Sequence, residues 1–193
     1  MRLCHFITHA EVVIDPEIPV PDWTLSREGI RRHTAFNTTP AAATVTAVYS
    51  SAERKARDAA DILADHLGRS ARIIPALHEN DRTSTGYLPQ QAFQRTADRF
   101  FAEPETSVDG WERAVDAQAR IVDAVDGILR SDLSMGDIAI LAHGGVGALL
   151  LSHLADRPIS RDDDQPGAGG GNFFTFSVEV RHLVREWRPI EEA

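Results

Sequence analysis

One cysteine stands in 193 residues, Cys4, so an internal disulfide is excluded and the chain fits a reducing compartment. It lies inside the first strand pattern, where a small buried apolar residue is the expected role. No apolar run approaches the ~18–20 residues that span a bilayer. Positive charge is short: 20 Lys and Arg stand against 29 Asp and Glu, a formal net charge of −9. This disfavours nucleic acid and anionic membranes, whose recognition needs clustered Lys and Arg. A small anionic substrate stays open, because it feels the local field of a pocket. No Gly-x-Ser-x-Gly elbow appears, which argues against a serine hydrolase. Met1–Phe6 runs into a strand without a signal-peptide core, so a cytoplasmic location is expected. The sequon Asn37-Thr38-Thr39 then reads as a plain loop.

The chain carries 42% hydrophobic and 25% charged residues, as soluble globular domains do. No internal repeat or dividing linker is visible, and residues 1–193 read as one domain. Leu3–Thr8, Thr44–Ser50, Ala71–Pro75 and Asp137–Ala142 are short strand patterns. Helical patterns follow or intervene at Arg27–Phe36, Glu53–Leu67, Pro89–Phe101, Trp111–Leu129 and Gly145–Leu154. Ser26 is suited to cap the first helix, and Gly68 to stop the second. Phe173–Val180 and His182–Trp187 suggest a closing hairpin. Strands alternating with helices predict a three-layer α/β/α sandwich with a mainly parallel sheet and an antiparallel C-terminal edge.

Two of these strands end alike. Phe6-Ile7-Thr8-His9-Ala10 and Ile140-Leu141-Ala142-His143-Gly144-Gly145 each place an imidazole at the carboxyl end of a strand. Ligands of open α/β sheets bind outside that end, so His9 and His143 are expected to meet over one pocket. A metal site is not expected. His5 and His9 share a strand face but lack a Cys or carboxylate at ligand spacing. Asp162-Asp163-Asp164 reads as a solvated acidic loop. Gly167–Gly171 precedes a strand, whereas phosphate-binding loops follow one.

Thr8-His9-Ala10, Trp23 to Gly29, Tyr49-Ser50-Ser51-Ala52-Glu53-Arg54-Lys55-Ala56, Leu77-His78-Glu79 and His143-Gly144-Gly145 follow one another in an order that resembles the histidine phosphatase superfamily, the phosphoglycerate mutase-like enzymes. The resemblance runs from Phe6 through the helix after His143. It implies a metal-independent phosphomonoesterase without cofactor, with His9 as the nucleophile that forms a phosphohistidine. It makes Glu79 the acid that protonates the departing oxygen. His143 and Lys55 would hold phosphate oxygens, helped by Thr8 and by the Gly144 and Gly145 amides at a helix start. The expected partner is a small phosphorylated substrate, with neither nucleic acid nor membrane; a homodimer is compatible with the sequence.

The departures from the family pattern concern charge. Thr8-His9-Ala10 stands where the family has Arg-His-Gly, and Lys55 where it has a second arginine. Val12 and Asp15 replace a Thr and an Asn, and Asp15 would repel phosphate if it pointed inward. Arg31, Arg54 or Arg82 could substitute for the missing cation. The alternative function is a weak or inactive relative that binds a phosphorylated ligand or a protein partner. A mutase is disfavoured because no segment supplies a second phosphate site. Substrate identity would reside in the loops Asp15–Trp23 and Glu79–Pro89, which carry no readable code.

Overall fold

Six strands form one mixed sheet in the computed structural model, which describes residues 1–193. Strands β1 (Leu3–Thr8), β2 (Val45–Ser50), β3 (Arg72–Ile73) and β4 (Asp137–Ala142) run parallel. Strand β5 (Asn172–Ser177) is antiparallel to β1, and β6 (Leu183–Pro189) is antiparallel to β5. The spatial order is β3-β2-β4-β1-β5-β6. Helices α1 (Arg27–Phe36), α2 (Pro40–Thr44) and α3 (Arg54–His66) cover one face. On the other lie α5 (Ala114–Ser131) and α6 (Gly144–Leu154), with α4 (Gln90–Ala102) packed outside them. The expected sandwich with its antiparallel edge is present.

Period-two alternation assigns each strand residue to a face. On β1, Cys4 and Phe6 join the core under α5 and α6, while Ile7 turns to the core under α1 and α3. On β4, Ile138, Ile140 and Ala142 take the first side and Ala139 and Leu141 the second. A strand buried on both faces reads as the continuous apolar run seen here. Helix α1 begins where Ser26 Oγ accepts the Gly29 N–H at 3.0 Å. Helix α3 buries Ala59, Ala60 and Leu63 on one stripe.

Four local expectations change. Thr44 belongs to a helix, because Thr39 caps Ala42 and Pro40 fits the first turn of α2; the strand begins at Val45. The third strand shrinks to Arg72–Ile73, since the chain turns into a single helical turn at Pro75. Helix α5 starts at Ala114 rather than Trp111, whose indole instead fills a side cluster with Phe100 and donates to Thr85 Oγ1 at 2.9 Å. The acidic loop is not merely solvated. Asp163 is buried, accepts the Ser152 hydroxyl at 2.8 Å and pairs with Arg157 at 3.1 Å, tying that loop to α6. No helix is long and apolar enough to cross a membrane.

Candidate active site

Strand register brings the histidines together. Thr8 pairs with Ala142, so the next residues, His9 and His143, leave adjacent parallel strands side by side. The His9 N–H continues the ladder to Ala142 O at 3.1 Å. The two rings lie 5.3 Å apart between centroids, with planes at 65°. On the far side of β4, Ser50 pairs with Leu141, which carries Ser51 to His143, and Ser51 Oγ lies 2.9 Å from His143 Nε2. His143 is fully buried, and its Nδ1 has no partner within the protein.

His9 is held from behind. Its Nδ1 lies 2.9 Å from Ala10 O, a contact that fixes the proton on Nδ1 and leaves the Nε2 lone pair free. The Ala10 N–H donates at 3.0 Å to Nε2 of His33, a buried residue of α1. The Gly-rich segment packs against the same turn: the Gly171 N–H donates to His9 O at 2.9 Å. Gly170, at φ +69°, approaches so closely that a Cβ there would sit 2.1 Å from that oxygen. His9 is half-buried as a residue, and burial of its imidazole, with the Lys55 charge nearby, pushes its pKa down to about 3. Burial likewise takes His143 and His33 to about 3. All three imidazoles are neutral at physiological pH.

Lys55, the only lysine in the sequence, is buried beside these rings. Its ammonium donates to Val20 O at 2.9 Å and to Glu53. Glu53 in turn accepts the Glu79 N–H at 2.8 Å and lies 3.4 Å from His143 Nε2. Burial would raise the Glu53 pKa, but His143, Lys55 and the Glu79 amide hold it well below the usual carboxylate range. The Glu79 carboxylate sits on the start of α6, accepting the N–H groups of Gly145 at 3.0 Å and Val146 at 2.9 Å.

Thr8 is fully buried, and its hydroxyl faces the chain rather than an open space. It donates to Gln165 Oε1 at 2.7 Å and accepts the Asn172 N–H at 3.0 Å. Asp15 does not point at the histidines as a phosphate-facing charge: its carboxylate accepts the Glu17 N–H at 2.9 Å within its own loop. Arg31 pairs with Glu28, and Arg54 with Asp58, both on the surface. Arg82 differs, because its guanidinium stacks over Phe93 at 4.9 Å and Trp111 at 5.9 Å and pairs with no carboxylate. It lines a cavity of about 640 Å³ between the loops 16–21 and 78–87, together with Val20, Glu53, Glu79, Asn80 and Tyr87. The Asn80 Nδ2 on that wall is buried without a partner. Nowhere do three His, Cys, Asp or Glu side chains converge as a metal site would require.

The structure thus gathers His9, His143, Lys55 and Glu79 at one sheet edge, with Thr8 and Gly144 directly behind. Glu53, Ser51, His33 and Gln165 carry no role in the sequence reading. Of these only Glu53 offered a signal, being a carboxylate two residues before the buried lysine. The contacts of His33 and Gln165 depend on long-range packing that leaves no local pattern.

No curated protein matches the sequence. Among solved structures, mycobacterial glucosyl-3-phosphoglycerate phosphatase with inorganic phosphate superposes with a TM-score of 0.77 at 20% identity, over 100% of both chains. The Bacillus stearothermophilus protein YhfR gives 0.79 at 19% identity, over 96% of this chain and 95% of that one. Phosphoserine phosphatase from Entamoeba histolytica, in complex with 3-phosphoglyceric acid, gives 0.77 at 14% identity over 100% of both. These likenesses establish the fold. The family described as the histidine phosphatase superfamily (branch 1) matches over residues 6–168, and the chain belongs to it.

Proposed function

We propose that the protein hydrolyses a phosphomonoester through a phosphohistidine on His9. The observation that carries this reading is the fixed tautomer of His9. Ala10 O accepts a hydrogen bond from His9 Nδ1–H, so a neutral ring presents Nε2 beside His143. In the first step Nε2 attacks phosphorus and the P–O bond to the leaving alcohol breaks. Glu79 supplies the proton that the departing oxygen needs. The positive charge that develops on the His9 ring is met by Ala10 O at Nδ1. In the second step water attacks the phosphohistidine, Glu79 takes a proton from that water, and His9 and inorganic phosphate are released. Lys55 and the unpartnered His143 nitrogen are the groups available to phosphoryl oxygens. The cavity beside Glu79 is where the alcohol moiety would lie.

A second reading, phospholigand binding without turnover, draws on one observation. The ion pair with Glu53 already counters the Lys55 charge, so the pocket attracts a dianion weakly. A panel of phosphomonoesters assayed with chelator separates the two. Phosphate release by the wild type and none by His9→Ala is expected, with Glu79→Gln slower by roughly 10²–10⁴-fold. Phosphate binding with no release from any substrate would leave the binding reading in place.

A further inference from the structure

The missing arginine poses a specific question: what holds the phosphoryl oxygens on the Thr8 side of the pocket? The geometry points to the side-chain amide of Gln165 as a neutral phosphate-binding donor that takes the place of a cation there. This inference names a ligand contact for the phosphatase reading given above.

One donor fixes the sense of that amide. Asn172 Nδ2–H donates to Gln165 Oε1 at 3.1 Å and demands an oxygen there, while the Thr8 hydroxyl, 2.7 Å from the same oxygen, also has Asn172 O within reach at 3.2 Å. Asn172 is itself anchored, its Nδ2 also donating to Pro166 O at 3.1 Å and its backbone N–H to Thr8 Oγ1 at 3.0 Å. Gln165 Nε2 is therefore turned the other way, and it donates to no group of the protein. It lies over the first residue of α6, where a Cβ on Gly144 would come 2.2 Å from it. Only glycine admits the amide at that place.

Two N–H groups thus stand unused between the ends of β1 and β4, the strands that deliver His9 and His143. Besides the open His143 Nδ1, several polar groups nearby are already engaged. Glu79 occupies the Gly145 and Val146 amides, and Thr8 spends its proton on Gln165. Threonine at position 8 consequently acts as the brace for the donor rather than as the donor. A carboxamide brings directed hydrogen bonds without charge, so the pocket would keep one full cation, Lys55, opposed by Glu53.

The test is calorimetric titration of inorganic phosphate and of orthovanadate into wild type, Gln165→Glu and Gln165→Ala at about pH 8, where a glutamate is ionised. Gln165→Glu keeps an oxygen for Thr8 and Asn172 but replaces the N–H donors by a carboxylate oxygen. The expected result is an unchanged melting temperature with affinity lowered by more than about a hundredfold; Gln165→Ala should lose about ten- to a hundredfold. If Gln165→Glu binds both anions as the wild type does, Gln165 is only a brace and the inference fails. Because the titration needs no turnover, a wild type that binds phosphate through Gln165 yet hydrolyses nothing would overturn the proposed function alone. A wild type that binds neither anion would overturn both.

Discussion

His9 shows how much one side chain depends on its backbone surroundings. Ala10 O selects the tautomer, His33 holds Ala10, and burial beside Lys55 keeps the ring neutral down to about pH 3. If His9 is the nucleophile proposed above, its neutrality means that activity should not be lost as pH falls through the ordinary histidine range. We expect kcat at saturating substrate to show no acid limb near pH ~6.5, the unperturbed imidazole value, between roughly pH 8 and pH 5. A limb with an apparent pKa between 6 and 7 in that profile would contradict the assignment. Glu53 is the second residue whose effect can be isolated. Glu53→Gln retains an oxygen for the Glu79 N–H and removes the charge opposing Lys55, so phosphate should bind about tenfold more tightly. Weaker binding by that variant would mean that Glu53 orients Lys55 more than it neutralises it.

At the scale of elements, the site is a consequence of register. Thr8 opposite Ala142 and Ser50 opposite Leu141 place three strand ends together, and no later loop needs to bring the histidines into contact. The strand-end histidines were legible in the sequence because a β-branched or apolar run ending in His and a small residue is a local pattern. The braces were not. His33 reads as one polar residue on a helix, and Gln165 as one in a polar loop, until α1 and the Gly-rich segment fold against β1. The short helix α2 escaped for a related reason, being too short for a periodicity to show, and the strand pattern at Ala71–Pro75 overran the two residues that pair as β3. The Gly-rich segment itself can be tested. Gly170→Ala puts a Cβ 2.1 Å from His9 O at a positive φ, which should cost roughly 2–3 kcal/mol and lower the melting temperature by about 5–10 °C, with loss of activity. Gly167→Ala shares the positive φ but has open space, so it should cost only about 1 kcal/mol and leave activity unchanged. Equal losses from the two variants would show that the segment braces nothing.

For the whole molecule, the buried histidines couple stability to pH. His9, His33 and His143 each have a folded pKa of about 3, below the unfolded value, so the unfolded chain binds more protons as pH falls below ~6.5. Stability must therefore fall with falling pH between about 6.5 and 3, by up to roughly 1.4 kcal/mol per pH unit for each histidine. The Glu53 carboxyl, held below its ordinary range, adds to the loss in the same direction once pH drops beneath ~4.3. Denaturant unfolding at several pH values should give a slope of about 3–4 kcal/mol per unit near pH 5. A flat profile from pH 7 to pH 5 would mean that these imidazoles protonate freely in the folded state. On the proposed function, the same neutral, tightly packed cluster would make His9 a nucleophile rather than a cation.

That claim is tested most directly by trapping the covalent intermediate. Wild-type protein mixed with a labelled phosphomonoester, quenched in alkali and digested for mass spectrometry, should carry an alkali-stable, acid-labile phosphoryl group on His9, and His9→Ala should carry none. A phosphoryl group found on another residue, or turnover that continues in His9→Ala, would contradict the account.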